Sequence, residues 1–305
     1  MRYGIMAMQI NSLIPPEAQA MPPEQVLARV MGLDHSGMVR GLAEQGFDVI
    51  ELNGDLAMLL PHTFSPDALD GLAELKAELG LNYTLHLPLW SVEPSTLNAP
   101  VRYGSVRSLV DSIQTTLPLE PEVYVLHATG ALAAEFYRMR LPEAARAVLL
   151  RQFQNSARES IQAIMGETGI PSRKLAIETI EFPFDLTLEL AEELDLSICF
   201  DTGHVLSGFS GPVDFFEALE RCLPRLGEVH LHDSPNLVSA GRIEYGLDHQ
   251  PLGTGELELA RFLNRLDQVD FPGPVIFELQ LAEALASMEV IREYYRPRTV
   301  GLERK

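Results

Sequence analysis

A (β/α)₈ barrel is the fold class this chain predicts, on three observations. Eight short apolar runs of strand-like composition recur from end to end, amphipathic segments of helical period lie between them, and histidines and carboxylates collect where the apolar runs stop. Eight strands with intervening helices close most economically as a barrel. The 305 residues, 46% of them hydrophobic, suffice for one such domain over 1–305, because a barrel of this kind occupies about 250 residues.

The strand candidates, in order, are RYGIMAM (2–8), FDVIELN (47–53), NYTLHLP (82–88), EVYVLHA (122–128), KLAIETI (174–180), LSICFDT (196–202), EVHLHD (228–233) and PVIFELQ (274–280). Between the second and third runs, SPDALDGLAELKAELG reads as a helix: Ser65 caps it, Pro66 fits its first turn and Gly80 ends it. Helical patterns also occupy about 143–168, 185–195, 213–226 and 256–267, and AEALASMEVIREYY closes the chain. Three stretches break the rhythm and are expected as insertions on the pocket rim. They are about 11–35, with Pro15, Pro16, Pro22 and Pro23; 87–100, with Pro88, Pro94 and Pro100; and 234–255, which carries His249. Each leaves the C-terminal end of a strand, where barrel active sites sit.

The formal charge of −20 sets up a field that repels nucleic acid, whose affinity for proteins rests largely on phosphate neutralisation. Nucleic acid is therefore not expected as the partner; a small molecule is. Arg138, Arg140, Arg146, Arg151 and Arg158 read first as a solvated helix face, and second as a docking point for a substrate phosphate. No apolar run approaches the roughly 20 residues of a membrane span. The opening MRYGIMAMQI lacks the length and cleavage pattern of a secretion signal. Two cysteines, Cys199 and Cys222, are too few for a disulfide framework, so a cytoplasmic setting is expected, with self-association left open.

Alternate residues of a strand share a face, so His230 and His232 point the same way on their strand, as Cys199 and Asp201 do on theirs, and in a barrel that way is inward. Asp201 and His204 flank the point where strand becomes loop. Glu178 and Glu278 end apolar strands, where a carboxylate is costly unless paired or bound to metal. With His86 and His127 at two more strand ends, the donor types are those of zinc or manganese. His232 is expected to orient a neighbour or to bind directly. Glu181 and Asp233 read as capping or pairing groups, with substrate contact the alternative for either; Glu51 stands evenly between a structural and a functional role. His35 and His62 read as ordinary surface residues.

The strings IETIEF, FDTGH, HLHD, PLGTGELEL and FELQ, in that order and on those strands, resemble the xylose isomerase-like barrel superfamily over nearly the whole chain. That resemblance covers sugar isomerases and epimerases and the endonuclease IV-type hydrolases. In the epimerase branch it implies one divalent ion on Glu178, Asp201, His230 and Glu278, with the two glutamates moving the proton. In the endonuclease IV-type branch it implies more: His86 and His127 on a first ion, Glu178 bridging to a second ion on Asp201, His230 and Glu278, and His204 and His249 on a third. One match fails, because Leu247 stands where that branch has a ligand carboxylate and Asp248 is one residue displaced.

One to three ions per chain are therefore expected, two being favoured, with Glu178, Glu278 and His204 as the catalytic groups. The additional histidines favour a metal-dependent phosphodiester hydrolase. The acidic charge points it at a small molecule, and the resemblance extends to enzymes that cleave the nucleotide loop of a cobamide. The alternative is a sugar or sugar-phosphate isomerase or epimerase on the same metal site. An abasic-site endonuclease and a barrel that merely binds metal or ligand rank below both. Xylose isomerase itself is disfavoured, since Thr179-Ile180-Glu181 follows Glu178 in place of its lysine-containing pattern.

Overall fold

The computed structural model describes residues 1–9, 14, 21–238 and 246–294. Eight parallel strands, β1 Arg2–Met6, β2 Val49–Asn53, β3 Asn82–His86, β4 Tyr124–Leu126, β5 Leu175–Glu178, β6 Ser197–Asp201, β7 Leu226–His230 and β8 Pro274–Phe277, form a closed barrel in chain order. Closure is made by β1 on β8, with Gly4 opposite Ile276. A Cβ at Gly4 would lie 2.5 Å from the Ile276 side chain, so the seam depends on glycine there. Every expected strand is present.

The helices are α1 Pro23–Met31, α2 His35–Ala43, α3 Gly54–Leu59, α4 Pro66–Leu79, α5 Ala99–Thr116, α6 Ala131–Arg138, α7 Glu143–Thr168, α8 Phe184–Glu193, α9 Thr202–Leu206, α10 Phe215–Cys222, α11 Leu259–Gln268 and α12 Leu281–Tyr294. α4 starts and stops for the reasons its sequence offers: Ser65 Oγ accepts the Ala68 N–H, and Gly80 takes the left-handed conformation at φ 68°. α7 ends likewise at Gly169, φ 67°. The 18-residue α5 has no counterpart among the expected helices. Its N-terminus lacks a side-chain cap and its length is threaded with serine, threonine and valine, so both its start signal and its propensity are weak. Part of the 11–35 stretch is helical as α1, whereas 10–13, 15–20 and 239–245 lie outside the described residues.

One large apolar core lies between the strands and the surrounding helices, with Ile50, Leu52, Ile177, Phe200 and Phe277 among its members. A second, small cluster of Val123, Val125, Ala176 and Cys199 carries the residues two places before His127, Glu178 and Asp201. Strand alternation then sets those three side chains in the next layer up, at the C-terminal mouth.

Two surface expectations meet the structure differently. Arg151 pairs with Glu189 and Arg158 with Glu193, tying α7 to α8 along a solvated face. His35 is a correction: it is 2% exposed, its Nδ1 lies 2.7 Å from the Thr63 carbonyl and its ring tilts against Phe64. Because Asp34 caps α2, the first helical residue turns inward instead of projecting from a loop. Both cysteines are buried free thiols, and no helix of the described residues is long and apolar enough to cross a membrane.

Candidate metal centre

The ends of β3, β4, β6, β7 and β8 bring side chains around one buried carboxylate at the end of β5. Glu178, 1% exposed at the end of β5, has Oε2 2.9 Å from His127 Nε2 and 3.2 Å from His86 Nε2, and Oε1 2.9 Å from His204 Nδ1. His86 Nδ1 faces the Leu87 carbonyl at 3.0 Å, so that nitrogen carries the proton and Nε2 is the one available to a ligand. Across the register pair Asp201 and His230, β6 and β7 supply the other wall. His230 Nδ1 is buried without a hydrogen bond, yet it lies 3.4 Å from Glu278 Oε1, 3.7 Å from Asp201 Oδ2 and 3.8 Å from Glu178 Oε2.

The donors fit a divalent cation. Ligand atoms about 2.0–2.2 Å from one ion stand roughly 3.0–3.5 Å from each other, close to the separations found here. Two groups of donors whose ligand atoms all lie within 4.8 Å of one another share a member: His86, His127 and Glu178 in one, Glu178, Asp201, His230 and Glu278 in the other. An unpartnered imidazole nitrogen ringed by three carboxylates is otherwise a costly arrangement.

The electrostatics follow from this crowding. Burial opposes ionisation of Glu178, but His127, His204 and His230 hold its carboxyl well below the usual range. Asp201 is held down against its burial by His204, His232 and His230. His204, buried but facing Asp201, Asp248 and Glu178, is raised to about 9, and Glu278, buried beside His230 and His249, is lowered to about 2. The proton on His204 thus contributes stability that is fully present below its ordinary 6.5 and disappears as pH rises through about 9. Ionised Glu278 contributes above its ordinary 4.5, and that contribution goes as pH falls through about 2. Protein stripped by chelator is therefore expected to show its highest Tm between those ordinary values, falling towards pH 9. A Tm that climbs from pH 6.5 to 9 would contradict this arrangement of charges.

His232 sits behind Asp201 and is fully buried. Its Nδ1 accepts the His249 backbone N–H at 2.9 Å and its Nε2 donates to Asp201 Oδ2 at 2.9 Å. Although it is within reach of His204 and His249, both its nitrogens are taken. Burial, outweighing Asp201, keeps it neutral. At the mouth, His249 stacks on His232 with centroids 4.2 Å apart, and its own side chain is 41% exposed.

The displaced carboxylate of the 247–253 loop comes to this corner. Asp248 Oδ2 lies 2.7 Å from His249 Nδ1 and 3.5 Å from His204 Nε2, while His249 Nε2 faces Glu278 at 3.2 Å. Left-handed residues at Gly246 and His249, φ 84° and 55°, bend the loop enough to bring Asp248 there. Glu181 occupies the centre of a tight three-residue turn, at φ 61° with Phe182 N–H donating to the Ile180 carbonyl, and its Oε2 is 3.8 Å from His127 Nδ1. Such strain in a residue other than glycine persists where surrounding structure enforces it, commonly at functional sites. Asp233 accepts the backbone N–H groups of Ser234, Leu257 and Gly253, a loop-capping role.

Sequence reasoning missed Glu228. It is fully buried inside the barrel one layer beneath His230, next to Glu51, and accepts the Thr84 hydroxyl at 3.2 Å. Burial and the Glu51 charge raise its carboxyl well above the usual range. The signal was available: Glu228, His230 and His232 alternate on one strand, so the rule that paired the two histidines also turns Glu228 inward.

The class the fold defines is a closed parallel (β/α)₈ barrel, here with carboxylates and imidazoles that could hold a metal gathered at its C-terminal mouth. A sequence model of the xylose isomerase-like TIM barrel matches residues 39–294, and this chain belongs to that family. It is similar to the uncharacterized protein MJ1311 of Methanocaldococcus jannaschii, 25% identical over 264 residues that make up 83% of this chain and 82% of the relative. Among solved structures it is similar to a D-tagatose 3-epimerase-like protein, with TM-score 0.67 and 21% identity over 96% of this chain and 97% of that one. It is also similar to endonuclease IV from Thermus thermophilus, with TM-score 0.61 and 19% identity over 96% and 98%. Those two likenesses are of fold.

Proposed function

We propose that this chain is a divalent-metal-dependent phosphodiester hydrolase acting on a small molecule. The observation that carries the reading is the sharing of Glu178 between two donor groups, His86 and His127 on one side, Asp201, His230 and Glu278 on the other. Two zinc or manganese ions held there would supply Lewis acidity at the phosphoryl oxygens and a water activated near neutral pH. Glu178 would bridge them. His204, between Glu178 and Asp248 beside the donors, is placed to give a proton to a phosphoryl or leaving oxygen. Asp248 and His232 keep the donors in place, and His249 at the exposed edge reaches substrate. The net charge of −20 disfavours a DNA substrate, so a phosphodiester of a bulky small molecule, such as a cobamide nucleotide loop, suits the site better.

The test is hydrolysis of an activated small phosphodiester by purified protein. The reading expects turnover that chelator abolishes and added metal restores, and it expects duplex DNA bearing an abasic site to be a poor substrate at physiological salt. A second reading, a sugar or sugar-phosphate epimerase, is favoured by Glu178 and Glu278 flanking the same His230 nitrogen at 3.8 and 3.4 Å. Structural likeness to D-psicose 3-epimerase from Clostridium cellulolyticum H10, TM-score 0.65, agrees with it. Ketose exchange of a carbon-bound proton with deuterated solvent, with phosphodiesters inert, would decide for that second reading.

His249→Ala is expected to reduce turnover while leaving the tightly bound metal count intact, since His249 is half exposed and engaged by Asp248 and Glu278. Metal analysis after gel filtration checks it. Loss of one tightly held equivalent would mean that His204, Asp248 and His249 hold a third ion.

A further inference from the structure

We propose that Glu51 is a positioning residue that fixes the His230 imidazole as the tautomer protonated on Nε2, leaving Nδ1 to the metal pocket. The inference rests on the metal reading above.

The two nitrogens of His230 face opposite ways. Nδ1 meets Glu178, Asp201 and Glu278, while Nε2 lies 3.2 Å from Glu51 Oε1 and 3.8 Å from Glu228 Oε1. Glu51, Glu228 and His230 are all at or below 1% exposure, so no bulk water shields a clash of charge there. A bare Nε2 lone pair pointed at the Glu51 carboxylate would be repelled; an Nε2–H donates to it. A metal-binding imidazole whose second nitrogen donates to a carboxylate is held in orientation and made a better ligand.

The position of Glu51 is itself enforced. Met6 and Thr84 flank it in register on β1 and β3, and Thr84 hydrogen-bonds across the barrel to Glu228. The register fixes where the Glu51 backbone sits, and the hydrogen-bonding contact it makes with the pocket is to His230 Nε2.

The test uses the full chain with zinc as probe, in chelator competition and in imidazole ¹⁵N–¹H correlation spectra. Zinc-loaded wild type is expected to show a slowly exchanging Nε2 proton on His230. Glu51→Leu is expected to lower zinc affinity by about 10–100-fold, the usual effect of removing such a partner. Glu51→Gln, whose carbonyl oxygen still accepts the Nε2–H, should restore most of it. A merely structural role would not separate Gln from Leu in affinity while both fold. Unchanged affinity in Glu51→Leu, or no Nε2 proton on His230 in wild type, overturns the proposal; the second readout stands even if the leucine variant fails to fold. Loss of a whole zinc equivalent in Glu51→Gln also overturns it, because Glu51, Glu228 and His230 would then hold an ion themselves. If wild type takes up no zinc, manganese or cobalt, the metal reading fails instead.

Discussion

Glu178→Gln is expected to remove metal from the chain more completely than any other single substitution and to abolish turnover. The wild-type carboxylate is shared by the His86 and His127 group and the Asp201, His230 and Glu278 group, so its loss weakens both at once. An amide oxygen carries no full charge, so glutamine holds a divalent ion more weakly than the carboxylate does on both sides of the shared position. Since removing even an outer partner typically costs about 10–100-fold in metal affinity, a shared ligand should cost more than about 100-fold. The fold should persist, because the residue stands at the functional end of the barrel while the apolar core lies below and around it. Metal content by elemental analysis, with thermal unfolding of chelated wild type and variant as control, checks the prediction. Unchanged metal content would sink the shared site.

The second large effect separates the two chemistries. His127→Ala is expected to lower phosphodiester hydrolysis by at least about 100-fold and to reduce the metal count from two to one, since it takes a donor from the group that only a two-ion site requires. The quartet of Glu178, Asp201, His230 and Glu278 is left whole. If the chain is an epimerase using that quartet alone, proton exchange in a ketose should survive the same substitution nearly intact. Steady-state rates for both substrate classes, with metal counts on the same preparations, distinguish the outcomes. A variant that hydrolyses phosphodiesters at the wild-type rate would refute the dinuclear reading.

The sequence alone was enough for the barrel and for the gathering of these side chains at its mouth. Strand alternation and the placement of His86, His127, Glu178, Asp201, His230 and Glu278 at strand ends are local properties, and a parallel barrel converts strand ends into one mouth. Helices with explicit start and stop residues were equally legible, as Ser65, Pro66 and Gly80 show for α4. α5 was not, because its end signals are weak and tertiary packing of Leu109, Val110 and Ile113 holds it in place.

What only the tertiary structure decided is which atom of each side chain faces which partner. The two nitrogens of an imidazole are equivalent in a sequence; the Leu87 carbonyl distinguishes them at His86, the His249 N–H at His232 and Glu51 at His230. Burial of His35 depends on the entry angle of α2, and the arrival of Asp248 beside His204 depends on two left-handed residues in a loop. Glu51 and Glu228 are 177 residues apart and meet because the barrel closes, bringing β2 and β7 to face each other across its interior. Periodicity fixes the face a residue takes on its own strand, but the partner it meets across the barrel is set by closure and register, which arise from the packing of all eight strands together.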